Sequence, residues 1–198
     1  RIRRRYSRRL DLRMSESSTP LRIAAVVLNY ENPEMTRVAV CSILGNDSEI
    51  VVRVVDNGSS AGSYAHLQDI LPTGVAVERV ARNDGIPGAL NQGVSSAFAD
   101  ASVGAVLIVM NDVTVDEVDF DEVRTVLAGR KVAAVGPVQC RQDDPDVVHT
   151  AGGRLNSIRW LTSHYYNGAS YSTLPRHLPS AGFLDFSCVA INRAAWDD

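Results

Sequence analysis

The apolar positions of the chain fall into short, unbroken runs. Six consecutive apolar residues, Ala105 to Met110, lead straight into Asn111 and Asp112. A run this short and this rich in Val and Ile predicts a strand buried on both faces rather than a helix segment. Leu21–Asn29, Glu49–Val55, Val75–Ala81 and Val132–Val135 repeat the pattern. Between them lie stretches with helical signals. Pro33–Leu44 opens with Pro in a first turn and places Val38, Cys41 and Leu44 at helical spacing. A turn cluster, Asp56–Ser60, precedes a helix over Ala61–Ile70. A Gly- and Asn-rich stretch, Arg82–Gly93, leads into a helix running to about Asp100, and another helix covers Glu117–Ala128.

Alternating strands and helices without a hairpin signal predict βαβ units around a mostly parallel sheet, with helices on both faces. Right-handed crossovers align the C-terminal ends of such strands along one edge. Asn29–Glu31, Asp56–Ser60, Arg82–Gly85 and Asn111-Asp112 then gather there. Ligands of open α/β sheets bind at that edge, so the four clusters describe a polar cleft suited to a nucleotide. After Gly136 the rhythm changes. Gln139–Asp146 is polar, 149–154 reads as a Gly-rich turn, and 155–181 is irregular and rich in aromatics. Gly182–Asn192 returns to a strand-like pattern. The organisation expected is a basic extension over 1–20, a nucleotide-binding half over 21–137 and an incomplete second half over 138–198.

Composition narrows the class. With 45% hydrophobic and 22% charged residues, the chain is of ordinary globular type. No apolar run approaches the roughly 20 residues of a membrane-spanning helix. Cys41, Cys140 and Cys188 lack metal-ligand spacing and read as reduced thiols of a cytoplasmic protein. The net charge of −3 hides an asymmetry: residues 1–13 hold seven Arg and one Asp, so the remainder carries −9. An acidic body argues against general nucleic-acid binding. The basic arm suits RNA or anionic lipid, or is a disordered, non-native extension, since Met14 begins a credible protein start, MSESSTP.

Several chemistries are excluded or disfavoured. Asn29-Tyr30-Glu31 stands where a Gly-x-Gly-x-x-Gly fingerprint would follow the first strand, which disfavours NAD or FAD. No phosphate loop ending in Gly-Lys-Ser/Thr exists, and the single lysine is Lys131. No Gly-x-Ser-x-Gly elbow is present. His66, His149, His164 and His177 show no zinc spacing and read as surface or packing residues. The remaining candidates are carboxylates, amides and one guanidinium. Asp112 is placed to hold a divalent metal against a phosphate, or to cap a turn. Asp56 is suited to a base or ribose, Tyr30 to stacking, and Arg82 to a diphosphate. Turn capping, edge packing and a solvated charge are their plain alternatives.

At this point the residues carry a resemblance. AVVLNY (25–30), IVVRVVDNGSS (50–60), RNDGIPGALNQG (82–93), VLIVMNDV (106–113), VAAVGP (132–137) and AGG (151–153) resemble, in order and spacing, blocks of the family 2 inverting glycosyltransferases of GT-A fold. The rhamnosyltransferase-like members are the most similar. The resemblance implies a Rossmann-like donor half that binds a nucleotide-diphosphate sugar, of thymidine or uridine type. Asn29 and Asp56 would line its nucleoside pocket. Arg82, Asn83 and Gly85 would lie near the diphosphate, with Asn91 supporting that loop. Asn111 would belong to the same donor site, and Asp112 would bind Mg²⁺ or Mn²⁺. A glycan or lipid-linked acceptor, cell-wall polysaccharide synthesis and a cytoplasmic location, extending to peripheral association with the inner membrane face, are implied with it. The other reading is a non-catalytic or truncated relative that binds nucleotide or serves as a scaffold.

Two departures from the family pattern matter. Met110 stands where the motif often has a first carboxylate; a thioether is a poor ligand for a hard cation, so metal binding rests on Asp112. LDFSCVAINR (184–193) resembles the acceptor-side strand but has Phe186 where Gly is usual. The family's general base is expected beyond Asp198, and Asp185, Asp197 and Asp198 are not assigned that role.

Overall fold

A computed structural model describes residues 2–3, 21–129, 132–156, 158, 161–176, 178 and 180–197. Of the basic extension, only Ile2–Arg3 fall within the described residues; they form a two-residue strand, β1, antiparallel to Val138–Gln139, where a disordered segment was expected. The rest of residues 1–20 lies outside the description. The elements that follow are β2 (Arg22–Asn29), α1 (Pro33–Asn46), β3 (Val51–Asp56), α2 (Ala61–Ile70), β4 (Ala76–Arg79), α3 (Gly85–Phe98), β5 (Val103–Met110) and α4 (Phe120–Ala128). Then come β6 (Ala134–Val135), β7 (Val138–Cys140), β8 (Val148–Thr150), β9 (Gly153–Asn156), β10 (Leu161–His164), a 3-10 turn (Tyr171–Thr173), β11 (Cys188–Asn192) and α5 (Arg193–Asp197).

The central sheet has six strands in the order β4-β3-β2-β5-β11-β6. β2 is parallel to β3 and β5, and β3 is parallel to β4. β11 enters antiparallel to both β5 and β6. The expected mostly parallel sheet is therefore present. Its departure comes from the C-terminal half, which inserts its own strand beside β5. Side chains of β2 alternate between two layers, as the period of a strand requires. Ile23, Ala25 and Val27 face Ala39, Val40, Ile43 and Leu67 from α1 and α2. Ala24, Val26 and Leu28 face Leu90, Val94, Ala97 and Phe98 from α3. Burial on both faces explains why β2 and β5 lack an alternating pattern in sequence.

The structure revises three local readings. In α1 the buried stripe is Thr36, Ala39, Val40 and Ile43, while Val38 is 46% exposed and Cys41 is exposed. Two apolar stripes coexist on this helix, and sheet contact selects the one carrying the small residues. α3 begins at Gly85, earlier than the Gly- and Asn-rich stretch suggests. The segment after Gly136 is also more ordered than an irregular loop. β1, β7 and β8 form a small antiparallel sheet, and β9 and β10 form a two-stranded ribbon. Its short pieces pack Val138, Cys140, Val148, Ala151 and Leu174 into a separate cluster. Strands of three or four residues carry too little periodicity to be read from sequence.

α3 lies close against the sheet because Gly93 has no side chain. A Cβ there would stand 2.5 Å from Val55 Cγ2 and 2.8 Å from Val26 Cγ1. Gly93→Ala should therefore destabilise the fold by about 1–3 kcal/mol through overpacking, read as a lower midpoint in urea unfolding. Gly62→Ala on α2, where a Cβ would meet nothing within 4 Å, should leave that midpoint unchanged or raise it slightly.

Candidate functional site

The parallel strands bring their C-terminal ends to one edge, with Asn29 opposite Asp56 and Asp56 opposite Arg79. Asn29 and Asp56 are both fully buried. Buried polar groups need partners, and these two bond each other and a ring of neighbours. Asn29 Nδ2 donates to Asp56 Oδ1 at 2.7 Å, and Thr36 Oγ1 donates to Asn29 Oδ1 at 2.7 Å. Asp56 also accepts from the Ser59 hydroxyl at 2.5 Å and the Ser59 amide at 3.2 Å. Arg79 Nε stands 3.5 Å from Asp56 Oδ2, and the Arg79 guanidinium lies 4.4 Å over the Tyr64 ring. Asn111 Nδ2 joins the group by donating to Thr36 Oγ1 at 3.2 Å.

A second set of bonds ties the turn after β3 to the start of α3. Asn57 Nδ2 donates to Asn83 Oδ1 at 3.1 Å and to the Gly85 carbonyl at 3.2 Å. Asn57 Oδ1 accepts from the Asp84 amide at 3.2 Å, and Asn83 Oδ1 accepts from the Gly85 amide at 2.9 Å. Gly58, at φ 73°, makes the close approach feasible, since a Cβ there would lie 2.5 Å from the Arg82 carbonyl carbon. Asn57 was not among the residues singled out from the sequence, although it sits inside the VVDNGS block. Asn91 lies on the exposed side of α3, and it is Asn57 that holds the loop.

Around this frame stand the groups free to meet a ligand. Tyr30 is 49% exposed at the end of β2. The Arg82 side chain is 85% exposed, its Nε 3.0 Å from Asp84 Oδ1. Glu31 has φ 51°, and its carboxylate accepts from the Ser60 amide at 2.5 Å and the Ser60 hydroxyl at 3.0 Å. The Ser60 amide bond, with help from the Ser60 hydroxyl, holds its pKa below the ordinary carboxylate value.

Asp112 is exposed and lines an open hollow of about 320 Å³ with Gln139, Arg141, Asp143, His149 and Ser187. Asp112 and Val113 come from the end of β5, and the remaining lining residues come from the C-terminal half. The backbone of Met110 is tied to that half by its amide, which donates to the Ser187 carbonyl at 2.9 Å. Ser187 Oγ donates within 2.8 Å of Gln139 Oε1 and also bonds Asp185 Oδ1. Burial raises the Asp185 pKa, but the Ser187 hydroxyl and amide, with the fields of His149 and His164, outweigh it and hold the carboxyl below its ordinary value. The His149 and His164 rings are 5.8 Å apart, and His164 Nδ1 lies 2.7 Å from Thr150 Oγ1. His149, read from sequence as a surface or packing residue, lines the hollow, and His164 stands beside it. Only the fold brings residues 149 and 187 beside residue 112.

The donor set limits what metal this edge can hold. Met110 packs in the apolar layer under α3, and Asn111 is engaged with Thr36. Among the described residues there is no group of three or more His, Cys, Asp or Glu that could hold a metal ion. Asp112, with Asp143 as the other carboxylate lining the hollow, suits Mg²⁺ or Mn²⁺ arriving with a diphosphate, because such ions take most of their ligands from phosphate and water. It does not suit a resident metal centre.

The architecture is an open, mostly parallel sheet with helices on both faces and a polar rim at its strand C-termini, the edge at which such sheets bind ligands, and its likeness to solved glycosyltransferases makes it a GT-A fold. The family model described as Glycosyl transferase family 2 matches residues 24–197, and the chain belongs to that family. Among solved structures it is similar to the mannosyltransferase PcManGT from Pyrobaculum calidifontis in complex with GDP-Man and Mn²⁺, at 16% identity and a TM-score of 0.54, covering 92% of this chain. The match spans 49% of the mannosyltransferase chain. S. aureus TarS 1–349 in complex with UDP matches at 17% identity and a TM-score of 0.45, over 58% of this chain and 34% of that one. A search of curated proteins found no match. Among the described residues no helix is long and apolar enough to cross a membrane.

Two outcomes test this geometry. Asn29→Ala leaves the buried Asp56 carboxylate short of a donor, while Thr36 Oγ1 keeps the Asn32 carbonyl at 3.0 Å as acceptor. It should cost about 2–3 kcal/mol in urea unfolding. Asp185 has a depressed folded pKa, so its stabilisation is complete above the ordinary carboxylate value and is lost as pH falls through the folded one. Asp185→Asn should lower the unfolding midpoint near neutral pH and converge on the unmodified protein only as pH falls below the folded, depressed pKa.

Proposed function

We propose that the chain is the donor-binding part of an enzyme that transfers a sugar, with inversion, from a nucleoside-diphosphate donor to a glycan or lipid-linked acceptor. The observation that carries this reading is the single rim at which the β2, β3 and β5 ends and the start of α3 meet. There the buried Asn29–Asp56 pair and the Asn57-held loop stand at the ends of β2 and β3, and Asp112, just after β5, opens on the hollow shared with the C-terminal half. Tyr30 would stack on the base, and Asn29 and Asp56 would set the depth of the nucleoside pocket. Arg82, Asn83 and Gly85 would meet the diphosphate, and Asp112 would hold Mg²⁺ or Mn²⁺ against it. The bound cation would stabilise the departing nucleoside diphosphate as a Lewis acid. The hollow walled by His149 and Ser187 then lies on the acceptor side. A thymidine- or uridine-diphosphate donor follows from the rhamnosyltransferase-like blocks. The GDP-Man and UDP carried by similar structures make guanosine a donor to compare.

The second reading, a non-catalytic nucleotide-binding or scaffold relative, is favoured by Met110, a poor ligand for a hard cation. Thermal unfolding with Mn²⁺ and uridine, thymidine or guanosine diphosphate separates the two. At about 100 times the Kd, one nucleotide should raise Tm by about 5–10 °C. Asp112→Ala should remove the Mn²⁺-dependent part of that rise while leaving the ligand-free Tm alone. A nucleotide rise indifferent to Asp112→Ala supports the scaffold reading, and no rise with any of the three defeats the donor site altogether.

A further inference from the structure

The Asn57 side chain is 3% exposed and uses both amide hydrogens and its carbonyl oxygen on the turn before α3. Its orientation follows from partners whose roles are fixed. The Asp84 amide can only donate, so the atom facing it is Asn57 Oδ1. The Gly85 carbonyl can only accept, so the atom facing it is Asn57 Nδ2. The second Nδ2 hydrogen goes to Asn83 Oδ1 at 3.1 Å. The backbone of Asn57 is held as well, its N–H donating to the Asn29 carbonyl at 2.8 Å. One residue thus joins the buried Asn29–Asp56 pair to the 82–85 loop.

The same reasoning fixes Asn83. The Gly85 amide, 2.9 Å away, can only donate, so Asn83 Oδ1 is the branch held by the protein, and there it also takes the Asn57 bond. Asn83 Nδ2 is the branch left over. It has no acceptor among the described residues, and Asn83 is exposed. A free asparagine offers an acceptor and a donor alike; this one offers only its donors. Arg82 precedes it, with its Nε on Asp84 and its side chain 85% exposed. Amide donors next to a guanidinium suit anionic oxygens. The turn after β3 reaches this loop because Gly58 has no side chain: a Cβ there would lie 2.6 Å from the Asn83 nitrogen.

We propose that Asn57 is a positioning residue for diphosphate recognition. By taking Asn83 Oδ1 it leaves the Asn83 amide able only to donate, and that amide reads the phosphate oxygens of the donor. This rests on the donor reading given above and adds to it a residue that never touches the ligand. It also divides the rim by chemistry. The Asn29–Asp56 end serves the neutral nucleoside, and the Asn57–Asn83 pair serves the charge. Loss of Asn57 therefore lets the Asn83 amide turn its oxygen outward, towards an anion that it repels. Affinity for a diphosphate falls, while affinity for the nucleoside alone stays.

Equilibrium titration of the full chain with uridine, thymidine and guanosine diphosphates and the matching nucleosides, each with Mn²⁺, tests it. The quantity read is the ratio of diphosphate to nucleoside affinity. Asn57→Ala and Asn83→Ala should each lower that ratio about tenfold, the scale of a hydrogen bond to a charged group. The double variant N57A/N83A should lower it no further than Asn83→Ala alone, because both changes act through one amide. Side-chain amide NMR of the unmodified protein gives a second measurement that needs no variant to fold. The Asn57 Nδ2 hydrogens should exchange slowly with solvent. The Asn83 Nδ2 hydrogens should exchange freely and shift with diphosphate but not with nucleoside. An unchanged ratio in Asn83→Ala, equal loss of both ligands in Asn57→Ala, losses that multiply in the double variant, or free exchange at Asn57 each overturn the proposal. Absence of binding by any diphosphate to the unmodified protein defeats the donor reading, and this inference with it.

Discussion

A carboxylate and an amide buried together at the edge of a sheet constrain everything around them. Asp56 and Asn29 are taken fully out of water, a costly step unless nearly every lone pair and proton is used. Here Thr36, Ser59 and Arg79 complete the set. Thr36 brings α1 onto the end of β2, Ser59 bends the chain after β3, and Arg79 ties in the end of β4. Moving any one of these elements would strand a buried polar atom, so the rim is held to one geometry. The same turn delivers Asn57 and Gly58 against residues 82–85, which sets where α3 starts.

The other half of the rim depends on a strand that runs the opposite way. β11 lies antiparallel to β5, so Ser187, just before β11, stands beside Met110 at the end of β5. Arg193, at the far end of β11, closes the opposite side of the same pair. Its guanidinium donates to the Val103, Phe98 and Asp100 carbonyls and lies 4.7 Å over the Phe98 ring. With β11 locked at both ends, residues 139–149 are drawn over the Asp112 side of the edge. The hollow is thus shared between two stretches distant in sequence. An apolar slot under α4, lined by Leu107, Phe120, Val123 and Cys188, lies apart from this edge. Burial pushes the Cys188 thiol up to about 12, and the slot offers no comparable polar chemistry.

The strands β2, β3 and β5, the helix α2 and the polar tips at the strand ends were legible in the residues alone. Unbroken Val- and Ile-rich runs have few other solutions, and turn-forming Asn, Asp and Gly punctuate them. The packing face of α1 was not legible, because Val38 and Cys41 form as good a stripe as Ala39 and Val40. Nor were β7 to β10, whose three or four residues are shorter than any pattern that could declare them.

By itself, then, the sequence determined an alternating α/β chain, the edge at which its polar clusters collect and the family whose blocks they resemble. Those are local properties, written in runs of neighbouring side chains. Only the tertiary structure decided that Asn29 and Asp56 pair in the interior, that Asn57 holds the 82–85 loop, and that His149 and Ser187 come to stand by Asp112. The physical reason is distance along the chain. Burial of a polar group and the pairing of an antiparallel strand are settled by partners tens of residues away, and no local pattern records who those partners are.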